Sequence, residues 1–178
     1  MSKAIFLLGK SKSGKSSLGN FFLDSNKFEI SHSKNSCTTK IQKEEIKSDL
    51  SIIDTPGVYD SENRDEKNFK EALETIKKNR ENYQISLVLI VFKFQDMLFN
   101  KETKFMIKFF CQLFPEELAK HVCIAFTNYN KNYDSDSKYY KIKEFVPEVM
   151  KLISEYTKEP MNEEPKVIFV ENRIRDWD

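Results

Sequence analysis

The chain has 178 residues, a formal net charge of +1, 32% charged and 39% hydrophobic residues, the make-up of a soluble globular protein able to bury a sizeable core in one domain. So even a balance gives no electrostatic footprint for nucleic acid or a membrane surface. Two histidines exclude a His-rich metal cluster, and three cysteines without a CxxC pair (Cys37, Cys111, Cys123) exclude a disulfide frame or zinc site and fit a reducing, cytoplasmic setting. No secretory leader precedes the first apolar run, and no run approaches the ~20 residues that span a bilayer. Glycine is scarce: four residues, against about twelve at average usage. A chain this poor in glycine is expected to keep it where backbone approaches a ligand closely.

In chain order, Ala4–Leu8 is a short apolar run that reads as a buried strand. Gly9–Ser16, GKSKSGKS, follows it, and Leu18, Phe21 and Phe22 then recur at helical spacing. Strand, glycine-bounded loop and helix is the context in which GxxxxGK[ST] is a phosphate-binding loop. Loop N–H groups and the positive end of the helix dipole converge on an anion. Lys15 would reach the terminal phosphates, and the Ser16 hydroxyl would hold a magnesium ion bridging them. Residues 25–39 are polar and aperiodic, a loop ending at Ser36-Cys37-Thr38-Thr39. Ile41, Ile46, Leu50, Ile52 and Ile53 suggest two strands around a Lys47-Ser48-Asp49 turn. The second runs into Asp54-Thr55-Pro56-Gly57. DTPG alone reads as a β-turn. About 40 residues after a phosphate loop, its carboxylate can hold magnesium through water and its glycine N–H can sense the last phosphate.

Residues 64–82 place Phe69, Leu73 and Ile76 on one face of an amphipathic helix. Ile85–Phe92 is apolar throughout, the mark of a central strand covered on both faces. Residues 101–114 carry Phe105, Ile107, Phe109, Phe110 and Leu113 as a helix closed by Pro115. Residues 121–126 read as a strand, 127–137 as a polar loop, 138–156 as a helix burying Ile142, Phe145, Val149 and Ile153, and 166–170 as the last strand. Alternating strands and helices predict an α/β fold, a three-layer α/β/α sandwich around a mostly parallel sheet with one antiparallel strand. Its ligand loops gather at the C-terminal strand edge. Residues 1–178 read as a single domain, without the helix that usually follows the last strand in such folds.

GKSKSGKS, SSLGN, SCTTKIQ, DTPGVYD, the run from Leu87 to Met106, LFPEELAKHVCIAFTNYN and FVENR, in that order from Lys3 to Arg173, resemble the translation-factor-related P-loop GTPases. Among these the chain is most similar to the immune-associated nucleotide-binding GTPases, cousins of the septins and the chloroplast import-receptor GTPases. The resemblance implies a GTP/GDP-binding switch with Mg2+, a homodimer pairing across the nucleotide face, GTP hydrolysis, and an endomembrane or defence setting reached without an anchor in this span. It implies that Gly9, Lys12, Ser13, Gly14, Lys15, Ser16 and Ser17 hold the phosphates. Thr38 is the switch threonine, with Thr39 the alternative. Ser16, Thr38 and Asp54 are the metal set, and Lys15, Thr38 and Gly57 are the catalytic set.

Three departures stand out. Lys12 occupies a position where relatives often have glycine. Relatives commonly read guanine with the aspartate of a T/N-x-x-D loop, but the chain has Asn130 there, and a neutral amide cannot accept twice. Glu171 is the candidate replacement acceptor, next to Asn172, with Asn128 or Tyr129 packing on the base. Val58 follows DTPG where small signalling GTPases place a water-orienting glutamine. Hydrolysis is therefore expected to be slow and assisted by a cationic finger, for which Arg64 and Lys12 are candidates. Asp60 and Glu62 read as a solvated acidic loop. Two competing readings are a nucleotide-gated assembly module with negligible turnover and, more remotely, a small-molecule kinase.

Overall fold

The computed structural model describes residues 1–30, 41–58, 74–96, 99–132, 135–161 and 164–171. The sequence expectations for Cys37, Thr38, Thr39, Asp60, Glu62, Arg64, Phe69, Leu73, Asn172 and Arg173 lie outside the described residues. Six strands, β1 (Lys3–Gly9), β2 (Gln42–Lys47), β3 (Leu50–Asp54), β4 (Gln84–Lys93), β5 (Val122–Tyr129) and β6 (Lys166–Glu171), form one sheet in the order β2-β3-β1-β4-β5-β6. Among the described residues every neighbouring pair is parallel except β2 with β3, which is antiparallel around the predicted turn.

The sheet sorts its side chains by a period of two. Phe6 and Leu8 of β1, Val88, Ile90 and Phe92 of β4, and Ile124 and Phe126 of β5 enter one core. Leu7, Leu89, Val91, Cys123 and Ala125 enter the other. The first core is covered by α2 (residues 74–80) through Ile76, by α3 (Lys101–Leu113), by α4 (Pro115–Lys120) and by α6 (Val146–Thr157). The second is covered by α1 (Lys15–Leu23) through Leu18. Helices on both faces of a mostly parallel sheet give the predicted three layers. Each fully buried Phe, Leu or Ile contributes roughly 2 kcal/mol of burial.

Four local expectations are corrected. In α1 the inward residues are Leu18, Gly19 and Asn20, whereas Phe21 and Phe22 are exposed, at 52% and 38%. A Cβ on Gly19 would lie 2.4 Å from the Phe28 ring, so this glycine serves packing, not a ligand. The Asn20 amide clasps the Phe28 backbone, donating to its carbonyl at 2.9 Å and accepting from its N–H at 2.7 Å. Phe105 of α3 points outward, while α3 ends at Leu113 as expected, just before Pro115. That proline opens α4 from its first turn, where a missing N–H costs nothing. β5 continues through Thr127, Asn128 and Tyr129, the start of the predicted loop.

The fourth correction concerns the helix from 138. α5 (Ser135–Tyr140) passes through one π turn, Lys141–Phe145, before α6 begins. Val146 donates to the Lys141 carbonyl, a five-residue step. Pro147 explains it: without an N–H, and with its ring against the preceding turn, it cannot continue the ordinary ladder. The wider turn rotates Ile142 outward to 40% exposure and brings Lys141 into the core. Phe145, Val149 and Ile153 are buried as predicted.

Candidate functional site

The loop between β1 and α1 is shaped by close backbone contacts. A Cβ at Gly9 would sit 2.4 Å from the Val91 carbonyl oxygen. Gly14 has φ 88°, a left-handed conformation suited to glycine, and lies against Thr127. Lys12 also has a left-handed φ, 61°. Its backbone therefore takes a glycine-favoured geometry despite the side chain, so the loop keeps its course at this departure. The Thr127 hydroxyl donates to the Ser13 carbonyl at 2.7 Å, tying the end of β5 to the loop. Sequence reading missed that tie, although Thr127 heads the T/N-x-x-D pattern.

Lys15 is buried at the first position of α1, and its ammonium donates to the Lys10 carbonyl at 2.9 Å and to Gly9 at 3.4 Å. Burial lowers its pKa to about 8, against the pull of nearby Asp54. Asp54, fully buried at the end of β3, is pushed above the usual carboxylate range by burial, opposed by Lys15, by the Ser16 hydroxyl and by a backbone bond. The Ser16 hydroxyl donates to Asp54 Oδ2 at 2.6 Å. Among the described residues, Asp54 Oδ1 and Ser13 Oγ are buried with no hydrogen-bond partner. A hard cation needs oxygen donors such as Ser16 Oγ and the Asp54 carboxylate. An orphaned carboxylate oxygen fits that requirement, and an orphaned hydroxyl in the loop whose carbonyls hold the Lys15 ammonium fits an anion. Ser17 is exposed on the outer side of the first turn.

The DTPG segment lies directly on the loop. Thr55 donates its hydroxyl to the Leu7 carbonyl at 2.7 Å, and the Val58 N–H donates to the Gly9 carbonyl at 3.2 Å. A Cβ at Gly57 would stand 2.4 Å from Ser11 Cα, so only glycine allows this approach. Lys10 reaches the other way to Glu102 of α3 at 3.2 Å. Lys15, Ser16, Asp54 and Gly57 are thus one cluster.

The second cluster stands at the ends of β5 and β6. Their register shifts between Phe126 and Tyr129, so that Tyr129 pairs with Glu171, and Asn128 sits in the bulge at φ 57°. Glu171 Oε1 accepts from the Lys131 N–H at 3.3 Å, and Asn130 Oδ1 accepts from the Asn132 N–H at 3.0 Å. Glu171 therefore reaches the Asn130 loop, as its candidacy requires. Tyr129 does not fit a base-packing role. Its ring is buried 5.2 Å from both Phe94 and Phe169, in the aromatic core. Asn128 keeps that candidacy.

A parallel sheet with a glycine-shaped anion loop after β1 and a carboxylate ending β3 defines the fold of the P-loop GTPases. The sequence profile of the AIG1 family matches residues 3–163, and the chain belongs to the AIG1 family. The same fold recurs in Toc33 from Arabidopsis thaliana, solved with Mg2+ and GMPPNP. That chain is 22% identical, with a TM-score of 0.72, covering 98% of this chain and 73% of Toc33. A structure titled for the importance of dimerisation to the GTPase activity of the chloroplast translocon components atToc33 and psToc159 is 20% identical. Its TM-score is 0.75, with 98% and 72% covered. Era, in complex with MgGDPNP and a piece of 16S ribosomal RNA, is 18% identical with a TM-score of 0.58, covering 96% of this chain and 51% of Era. A comparison with curated proteins returned no match.

Proposed function

We propose that the chain is a guanine-nucleotide switch that binds GTP and GDP with Mg2+ and hydrolyses GTP slowly, assisted by a second copy across the nucleotide face. The observation that carries it is the buried cluster in which Ser16 holds Asp54 at 2.6 Å beside Lys15, in a chain of the AIG1 family. Lys15 neutralises phosphate charge, and Gly9, Ser13 and Gly14 shape the backbone cradle around it. Ser16 and Asp54 would hold the magnesium ion, which when bound would offset the charge on the phosphates. Gly57, already in contact with the loop, moves with the third phosphate. Glu171 accepts from the base, and Asn128 flanks it. Thr38 completes the switch.

Val58 favours a second reading, a nucleotide-gated assembly module with negligible turnover. It is buried, and its side chain has no polar atom with which to orient an attacking water. Multiple-turnover phosphate release over a range of protein concentrations separates the two. The specific rate is expected to rise with concentration, as dimer-assisted hydrolysis requires. Release no faster than spontaneous GTP breakdown at every concentration selects the assembly module.

A further inference from the structure

Lys141 is fully buried. Its ammonium lies 4.7 Å from the centre of the Phe145 ring, 5.3 Å from Phe126 and 5.7 Å from Phe94, and it donates to the Asp96 carbonyl at 2.7 Å. Burial lowers its pKa to about 8, the Asp96 charge opposing that shift. A charge taken out of water into an aromatic cage lowers stability unless it is well partnered, and a thioether or aliphatic chain would fill the same space without that cost. The π turn set by Pro147 brings it there, and π turns inside helices are frequent at functional sites.

The segment it grips points to the use. Asp96 ends the stretch Phe94-Gln95-Asp96 that leaves β4 beside the second cluster. The Phe94 N–H donates to the Thr127 carbonyl at 2.8 Å, and the Gln95 amide donates to the Asn128 carbonyl at 2.8 Å. Thr127 in turn donates to Ser13 of the phosphate loop. A continuous polar strap therefore runs from Lys141 through residues 94–96 to the bulge carrying Asn128, just before the Tyr129–Glu171 pair.

We propose that Lys141 is a positioning residue for base recognition, holding Phe94–Asp96 so that Gln95 fixes the β5 bulge, and with it the loop whose Lys131 N–H donates to Glu171, the acceptor that reads guanine. It does not touch the nucleotide. The proposal rests on the guanine-nucleotide reading above and adds the device that sets its selectivity. A core lysine with no such role would change stability and leave the preference between bases alone.

The test titrates GDP and ADP with magnesium calorimetrically into the wild type, Lys141→Met and Gln95→Ala, and follows thermal unfolding of all three. Losing one strap hydrogen bond is expected to weaken GDP binding about five- to tenfold in each variant, with ADP binding unchanged. The midpoint of Lys141→Met is expected to equal or exceed the wild type's. Gln95 is exposed, so its variant carries the test even if Lys141→Met does not fold. A wild-type GDP-to-ADP ratio in the variants, or an equal loss for both nucleotides, overturns the proposal alone. A wild type that binds the two equally overturns the guanine reading and the proposal together.

Discussion

Lys15→Ala is expected to abolish measurable nucleotide binding while leaving a folded protein at least as stable as the wild type. The ammonium is buried, held by the carbonyls of Gly9 and Lys10 on the loop it serves. A charged hydrogen bond to phosphate is worth about 1.5–3 kcal/mol, and its loss at two phosphates lowers affinity about 100-fold or more. The stability effect has the opposite sign. Burial that lowers the lysine's pKa from 10.5 to about 8 costs folding free energy at neutral pH. Because the folded-state pKa is the lower one, the unfolded chain binds the extra proton between those values, and wild-type stability rises as pH climbs through that window. Calorimetric titration reads the loss of binding. Thermal unfolding from pH 7 to 10 reads the sign, and Lys15→Ala is expected to flatten the rise, leaving the part due to Lys141. A variant that binds nucleotide normally would remove Lys15 from the site.

Gly9→Ala is expected to be the most destabilising single-methyl change in the site. The added Cβ would meet the Val91 carbonyl oxygen at 2.4 Å and Ser13 Oγ at 2.8 Å. The first is backbone of the neighbouring central strand, so no rotamer change relieves it. Gly9 pairs with Val91 at the end of β1, so β1 and β4 must separate where the phosphate loop begins. Overpacking of this kind costs about 3 kcal/mol or more where backbone must move. Urea unfolding is expected to show a lower midpoint with the slope unchanged. A midpoint equal to the wild type's would mean that β1 and β4 part there freely.

The features legible in the sequence were those where residue identity and geometry coincide. GxxxxGKS after an apolar run placed Lys15 and Ser16, and DTPG placed Asp54 and Gly57 beside them. The apolar run Ala4–Leu8 marked a buried strand, whose side chains the structure divides between the two cores. Helix faces were harder, because packing overrode hydropathy. Gly19 turns inward to admit Phe28, which leaves Phe21 and Phe22 outside. The Lys141 site was hidden by a change of helical period. Pro147 inside a helical pattern was the available signal, and it moves the buried position from Ile142 to a lysine. Tyr129 was read as loop because the bulge at Asn128 breaks the β5 pattern, yet its ring belongs to the aromatic core.

The central claim, that this chain reads guanine nucleotides through a phosphate loop and the ends of β5 and β6, is tested most directly by titrating the wild-type chain. The ligands are GDP, a non-hydrolysable GTP analogue and ADP, each in magnesium. GDP and the analogue are expected to bind and ADP to bind at least about tenfold more weakly, the discrimination that paired hydrogen bonds to the base supply. ADP binding as tightly as GDP would contradict the account.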